Sequence, residues 1–98
     1  MEKEKVYICG KVTGMEVKAK SLFYLAEIYL EKQGYDTVNP MTLDHNHDKS
    51  WSSYMRVCLK TLCDCEVIFM LKNWKLSKGA RLEHRIAKEL GIEIIYQK

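Results

Sequence analysis

Glu83 is the residue whose position most strongly indicates chemistry. Helical periodicity from Ser77 to Leu90, at a rotation of ~100° per residue, places Glu83 in the middle of an apolar stripe. Glycine, alanine and isoleucine occupy the positions three and four residues away, so no helical neighbour can pair with the carboxylate. Because an unpaired carboxylate on an apolar face is costly, Glu83 is a candidate nucleophile or base. The alternative is a structural role, in which Glu83 reaches water at a sheet rim or accepts a hydrogen bond from a backbone group or a tyrosine.

The start of the same predicted helix has a second unusual feature. Between Val67 and Leu82 the chain contains no Asp or Glu but four basic residues: Lys72, Lys75, Lys78 and Arg81. With Ser77 as N-cap, these charges and the helix dipole favour an anion such as a phosphate group, and the small residues Gly79 and Ala80 leave room for a ligand. A solvated basic face is the alternative. The motifs Gly-x4-Gly-Lys-Ser/Thr and Gly-x-Gly-x-x-Gly are not found in the sequence.

Strands and helices must alternate to position these residues. Short β-branched and aromatic runs predict strands at Lys5–Cys9, Tyr35–Val38, Glu66–Leu71 and Ile92–Tyr96. Periodicity and capping residues predict helices from about Lys18 to Gln33, from Ser50 to about Leu62, and from Ser77 to Leu90. The polar stretch from Thr42 to Ser50 is predicted to be a loop. On the first helix, we expect the core side to consist of Leu22, Leu25, Ala26, Tyr29 and Leu30.

Apolar strands that alternate with helices are typical of a parallel sheet covered on both faces. Right-handed crossovers then favour an α/β fold with a small doubly wound, flavodoxin-like or Rossmann-like four-stranded sheet in the order 2-1-3-4. In such sheets ligands bind beyond the carboxyl ends of the strands, at the switch point between the first and third strands. The loops after Cys9 and Leu71 are therefore the predicted site, and Trp74, in the second loop, is the aromatic residue best placed to touch a ligand.

Length and composition limit the class of protein. A chain of 98 residues with 47% hydrophobic and 30% charged residues is expected to form one globular domain, residues 1–98. The longest uncharged run, Thr37–Leu43, is far shorter than the ~20 residues of a membrane span. The mixed charges of Met1–Lys5 are unlike a secretory signal, so we expect a cytoplasmic protein. A net charge of +3 is too small to indicate binding to a nucleic-acid polymer.

Cysteine, histidine and aromatic residues offer other candidate sites. The segments His45-Asn46-His47-Asp48 and Cys63-x-Cys65 lack the spacing of a structural zinc site, so we predict neither a metal nor a cofactor. The four cysteines are expected to be reduced, and Cys58, Cys63 and Cys65 to be small packing residues. Four aromatic residues near the first two helices lack interleaved arginines, which indicates core or subunit contacts rather than base stacking. They are Tyr24, Tyr29, Trp51 and Tyr54.

Three segments of the sequence resemble a known enzyme superfamily. They are Val6-Tyr7-Ile8-Cys9-Gly10, the stretch from Gly34-Tyr35 to Asn39-Pro40, and Trp74-x-x-Ser77-x-Gly79-Ala80-x-x-Glu83. Together they are similar to the nucleoside 2-deoxyribosyltransferase superfamily, in particular to a small bacterial and phage branch of it. The resemblance covers nearly the whole chain, and its most specific part is the Ser-x-Gly-x-x-x-Glu segment.

The resemblance implies an activity and a set of site residues. In that superfamily the glutamate at the position of Glu83 attacks C1′ of a deoxyribosyl group, displaces the base and forms a glycosyl-enzyme intermediate, which water or another base resolves. Tyr7 and Gly10 would line the sugar and base pocket, while Ser77 and Gly79 would lie near the 5′ group. Trp74, Lys78 and Ala80 are the other expected substrate-binding residues. The basic residues around this site would favour binding of a nucleoside monophosphate over that of a free nucleoside. Superfamily members generally form homodimers or larger assemblies, which implies self-association.

Two departures from the superfamily pattern leave a second function open. Lys11 replaces a proline that usually follows the first glycine, and Val57 and Cys58 occupy the place of an acid that orients or protonates the substrate. Asp64 or Glu66 is the candidate replacement for that acid. The leading hypothesis is cleavage or transfer of an N-glycosidic bond. The alternative is a catalytically weak or inactive nucleotide-binding module of the same fold.

Overall fold

The computed structural model of the protein describes residues 3–43 and 50–98. Within them the chain forms, in order, β1 (Lys5–Cys9), α1 (Glu16–Lys32), β2 (Asp36–Val38), α2 (Trp51–Leu62), β3 (Val67–Met70), α3 (Lys78–Leu90) and β4 (Glu93–Tyr96). Two short 3-10 turns, Pro40–Thr42 and Trp74–Leu76, precede α2 and α3. Every predicted strand and helix is present, with boundaries within about two residues of the predicted ones.

The four strands form one parallel sheet in the order β2-β1-β3-β4, which confirms the predicted α/β topology. β1 and β3 are the central strands, and their register places Tyr7 beside Ile68 and Cys9 beside Met70. Apart from Lys5, all residues of these two strands are buried, as expected for strands covered on both faces. The carboxyl ends of β1 and β3 lie side by side at the switch point of the sheet.

Residues of β1 alternate between two apolar layers, because successive side chains of a strand point to opposite faces. One layer contains Val6, Ile8 and the buried side of α1. The other contains Tyr7, Cys9 and buried residues of α2 and α3. Helices therefore cover both faces of the sheet, with α1 on one side and α2 and α3 on the other.

The buried side of α1 agrees with the predicted one only in part: Ala26 and Leu30 are buried as expected, and Leu22 is half-buried against the core. Leu25 and Tyr29 are 61% and 54% exposed and line a groove beside β4. The buried residues recur at intervals of three and four positions: Ala19, Phe23, Ala26 and Leu30. The sequence pattern was ambiguous because α1 has apolar residues on two sides. The side with two alanines can approach the sheet more closely, and it forms the core contact.

Serine caps fix the starts of α2 and α3, as the sequence predicts. The Ser50 hydroxyl accepts a hydrogen bond from the Ser53 amide at 3.2 Å, and the Ser77 hydroxyl accepts one from the Ala80 amide at 3.1 Å. Gly91 ends α3 in a left-handed conformation with φ of 73°, which glycine adopts without a steric penalty. Both helix starts are therefore defined by local interactions.

Two predictions fall partly or wholly outside the described residues. Most of the predicted polar loop from Thr42 to Ser50 lies outside the described residues, and so does the whole of the His45–Asp48 segment. Within residues 3–43 and 50–98, no group of three or more His, Cys, Asp and Glu side chains is placed to hold a metal ion. In the same ranges, no helix has both the length and the apolar composition needed to cross a membrane.

Candidate active site

Glu83 borders a cavity where α3 packs against the carboxyl end of β1. The alternation of β1 directs Tyr7 and Cys9 towards α3, and both contact the carboxyl group. The Tyr7 hydroxyl donates a hydrogen bond to Glu83 Oε2, and the Cys9 thiol donates one to Oε1 at 3.3 Å. Glu83 is 6% exposed. The tyrosine hydrogen bond that a structural role would predict is therefore present, and the same carboxyl group also lines the cavity.

Burial changes the protonation of this cluster. It raises the pKa of Glu83 from 4.5 to about 7, and the hydrogen bonds from Tyr7 and Cys9 oppose part of that increase. Burial, together with the Glu83 charge, also raises the pKa of Tyr7 and of Cys9 well above their ordinary values. Both side chains therefore keep their protons near neutral pH. The site holds one carboxyl group that titrates around pH 7 beside two permanent hydrogen-bond donors.

The cavity has a volume of about 410 Å³, which is within the range of small-molecule sites. Its walls come mainly from the end of β1 with the loop that follows, one face of α2, and the first turns of α3, and Phe23 of α1 and Pro40 after β2 add to them. It brings together all but one of the residues that the sequence analysis assigned to the site. These are Tyr7, Gly10, Ser77, Lys78, Gly79, Ala80 and Glu83.

Trp74 is the assigned residue that the structure does not bring to the site. It is not among the described residues that line the cavity. Its ring stacks on His84 at a centroid distance of 4.2 Å and lies 6.2 Å from the Tyr96 ring. The 3-10 turn that begins at Trp74 directs the indole against the side of α3 that carries His84. A position in the loop after β3 was therefore not sufficient to predict contact with a ligand.

One face of α2 forms a cavity wall that the sequence analysis did not assign to the site. Trp51, Tyr54, Met55 and Cys58 recur at helical spacing, and all four line the cavity. The spacing of the two aromatic residues was visible in the sequence. It was interpreted as a core or subunit contact, because spacing alone does not distinguish a cavity wall from a packed core.

Neither of the candidate replacement acids reaches the cavity. Asp64 and Glu66 are exposed, and Glu66 Oε1 accepts a hydrogen bond from the Lys5 amide at 2.8 Å. Both residues precede β3 and so lie at the opposite edge of the sheet from the carboxyl ends of the strands. Cys58 does line the cavity, but burial raises its pKa to about 11, which makes it a neutral thiol near pH 7. Among the described residues that line the cavity, Glu83 is the only carboxyl group.

Three cationic side chains line the cavity near the start of α3: Lys11, Lys78 and Arg81. Lys11 Nζ donates to the Leu76 carbonyl at 3.3 Å, and Arg81 Nη1 donates to the Lys75 carbonyl at 2.8 Å. Both head groups therefore lie beside the 3-10 turn that leads into α3. Lys78 Nζ is 4.1 Å from the centroid of the Trp51 ring, a cation–π contact. The other two lysines of the predicted basic run are exposed and are not among the described lining residues.

Two glycines of the site allow close packing. A Cβ at Gly10 would lie 2.6 Å from Leu71 Cδ1, so glycine lets the loops after β1 and β3 approach each other. A Cβ at Gly79 would lie 2.9 Å from Met55 Sδ. Met55 therefore partly fills the space that Gly79 was expected to leave for a ligand. The absence of a side chain at Gly79 also allows α2 to pack against α3.

The four cysteines are free. Cys9, Cys58 and Cys65 are buried, but Cys63 is exposed, so the prediction that it is a packing residue was wrong. Cys63 follows the last residue of α2 as its C-cap, which places it beyond the buried side of that helix.

Comparison with known proteins identifies the family of the chain. No curated protein matches the sequence. A family model described as "Domain of unknown function (DUF4406)" matches residues 4–96, a range that contains every described residue of the cavity, and the chain therefore belongs to this family.

Proposed function

We propose that the protein cleaves or transfers the N-glycosidic bond of a (deoxy)nucleoside or its 5′-monophosphate, with Glu83 as the nucleophile. The proposal rests on a buried carboxyl group that borders a cavity and accepts hydrogen bonds from Tyr7 and Cys9. With a pKa of about 7, this carboxyl group is partly ionised at neutral pH. The resemblance of its helix to the nucleoside 2-deoxyribosyltransferase superfamily supports the same reaction.

The reaction proceeds in two displacements. In the first, an ionised Glu83 oxygen bonds to C1′ of the sugar, the C1′–N bond breaks, and its electron pair leaves with the base, which takes up a proton from water. In the second, water or a second base attacks C1′ and loses a proton to solvent, the C1′–O bond to Glu83 breaks, and the carboxylate is regenerated. Tyr7 and Cys9 orient the nucleophile, because each donates to a different carboxyl oxygen.

A 5′-phosphate is accommodated at the start of α3. Lys11 and Arg81 bring positive charge to this end of the cavity, and the Ser77-capped helix adds its dipole. A cavity of about 410 Å³ is large enough for one mononucleotide. Self-association and a cytoplasmic location, both expected from the sequence, stay predictions. Sedimentation velocity would measure self-association.

The second candidate function is a nucleotide-binding module with weak or no catalysis. It is favoured by one observation: Glu83 is the only carboxyl group among the described residues that line the cavity. Cys58 and Tyr54 also line the cavity, but burial raises the pKa of the Cys58 thiol and that of the Tyr54 phenol well above neutrality. Both are therefore weak proton donors for a departing base.

Release of free base separates the two functions. The protein is incubated with each deoxynucleoside and deoxynucleoside monophosphate, and free base is quantified by chromatography. Glu83→Gln keeps the size of the side chain and an acceptor for Tyr7, and Glu89→Gln, exposed on the same helix, is the matched control. We expect release by the wild type and Glu89→Gln, and a decrease of about 10³-fold or more in Glu83→Gln. If Glu83→Gln releases as much free base as the wild type, Glu83 is not the nucleophile. If the wild type binds nucleotides without releasing free base, the nucleotide-binding module is supported.

A further inference from the structure

Trp51 is a large aromatic side chain of the cavity for which the proposed reaction provides no role. It is the first residue of α2, lines the cavity and is 41% exposed. The other tryptophan, Trp74, is already engaged in a stack with His84 away from the cavity. Trp51 is thus the tryptophan whose ring a small molecule in the cavity can reach.

The indole of Trp51 is held in place by the start of α3. Lys78 Nζ lies 4.1 Å from the ring centroid, and the indole Nε1 is 3.7 Å from the position that a Cβ on Gly79 would occupy. A cation over one face of an aromatic ring is attractive. These contacts restrict the rotation of the ring, and the side chain is still 41% exposed.

The geometry of α2 relates Trp51 to the reacting end of the cavity. Cys58 is seven residues further along the same helix face and lies next to Tyr7 and Glu83. Seven residues of α-helix span about 10 Å. A similar length separates an attacking oxygen, placed roughly 3 Å from C1′, from the far side of the planar base that C1′ carries. The length of this wall therefore allows a sugar held at Glu83 to reach Trp51 with its base.

We propose that Trp51 is a specificity-determining residue whose indole stacks on the planar base of the substrate, on the ring face opposite Lys78. This inference rests on the proposed function for the class of ligand. Stacking of a base on an aromatic side chain contributes about 1–3 kcal/mol, and it requires a ring in the ligand. Trp51 therefore discriminates nucleotides from sugar phosphates.

Affinity is measured by isothermal titration calorimetry with two kinds of probe: deoxynucleoside monophosphates, and deoxyribose 5-phosphate, which has no base. Trp51→Leu is expected to weaken binding of the nucleotides by about 5-fold to 100-fold and to leave binding of deoxyribose 5-phosphate unchanged. Trp51→Phe restores most of the nucleotide affinity because it keeps an aromatic face. Trp74→Leu is the matched control and binds both probes like the wild type.

Three results overturn the inference. They are nucleotide binding by Trp51→Leu equal to that of the wild type, an equal loss for deoxyribose 5-phosphate, and no nucleotide binding by the wild type. If Trp51→Leu does not fold, Trp74→Phe leaves Trp51 as the single tryptophan. Nucleotides but not deoxyribose 5-phosphate must then quench its fluorescence, and an unchanged signal contradicts stacking.

Failure of this inference and failure of the proposed function are distinguishable. Base release that depends on Glu83, with the same KM in Trp51→Leu as in the wild type, overturns the role of Trp51 alone. Nucleotide binding that depends on Trp51, without base release by the wild type, overturns the catalytic proposal alone.

Discussion

The reactivity of Glu83 depends on two opposing effects. Burial favours the neutral acid, whereas the hydrogen bonds from Tyr7 and Cys9 favour the carboxylate, and the resulting pKa is about 7. Since the nucleophile is the carboxylate, kcat/KM for base release is expected to increase from about pH 5.5 and to reach a plateau above about pH 8. The pH dependence of kcat/KM measures this midpoint. A profile without an inflection in this range contradicts the nucleophilic role of Glu83.

Tyr7 is predicted to set the position of that inflection. Tyr7→Phe keeps the buried ring but removes the donor to Glu83, so the pKa of Glu83 rises further and less carboxylate is present at pH 7. A hydrogen bond to a charged group contributes about 1.5–3 kcal/mol, so activity at pH 7 should decrease about tenfold or more and the midpoint should move to higher pH. Tyr24→Phe, at a residue that is 59% exposed on α1, is the control. An unchanged midpoint in Tyr7→Phe shows that this hydrogen bond does not tune Glu83.

Single residues were predictable where their own element carried the signal. Glu83 was found because its helical neighbours define an apolar stripe around it. Cys9 was missed, and Tyr7 was assigned only through the resemblance, because the face of β1 that meets α3 is set by tertiary packing. Trp51 was weighed as a base-stacking residue and interpreted as a core or subunit contact, because the sequence does not show that the start of α2 faces the start of α3.

At the scale of the element, starts and ends follow from local chemistry, but the orientation of a helix does not. Ser50, Ser77 and Gly91 are caps in the sequence and in the structure because capping needs only neighbouring backbone groups. Of the residues predicted for the core side of α1, Ala26 and Leu30 are buried but Leu25 and Tyr29 are exposed, because apolar residues lie on two sides of this helix. Which of two apolar sides is buried depends on how closely each can approach the strands.

The two serine caps allow a paired test of α3 as part of the site. Ser77→Ala and Ser50→Ala each remove a hydroxyl that accepts a backbone hydrogen bond, so each should reduce the free energy of unfolding by about 1 kcal/mol. Ser77 lines the cavity, whereas Ser50 is not among its described lining residues. Only Ser77→Ala should therefore also weaken binding of nucleoside monophosphates. Urea unfolding and calorimetric titration measure the two effects, and equal nucleotide affinity in both variants contradicts the assignment of Ser77 to the site.

At the scale of the whole molecule, the topology was predictable because few arrangements satisfy the sequence. Apolar strands require cover on both faces, and right-handed crossovers leave the order β2-β1-β3-β4 as a natural solution. The composition of the cavity was not predictable to the same extent. Within the described residues, its walls come from five separate parts of the chain: the end of β1 with its loop, α1, the turn after β2, α2, and the start of α3. The sequence analysis had placed only the start of α3 and the end of β1 there.

The burial of Glu83 links the stability of the whole molecule to pH. Its pKa is about 7 in the folded protein, against an ordinary value of 4.5, so between these values the folded state binds the proton more tightly than the unfolded state does. The free energy of unfolding should therefore decrease as pH rises above about 4.5 and stop decreasing above about pH 8. The whole decrease due to this group is on the order of 3 kcal/mol.

Glu83→Gln isolates this contribution because glutamine cannot ionise and is expected to keep an acceptor for Tyr7. Urea unfolding at about pH 5 and about pH 8.5 should show a large loss of stability for the wild type and for Glu89→Gln, and a much smaller one for Glu83→Gln. The variant should consequently be more stable than the wild type at the higher pH, as expected when a charged group at a buried reactive position is replaced by a neutral one. If all three proteins lose the same free energy between the two pH values, the Glu83 carboxyl group titrates as it does in water, and a nucleophile tuned by burial is excluded.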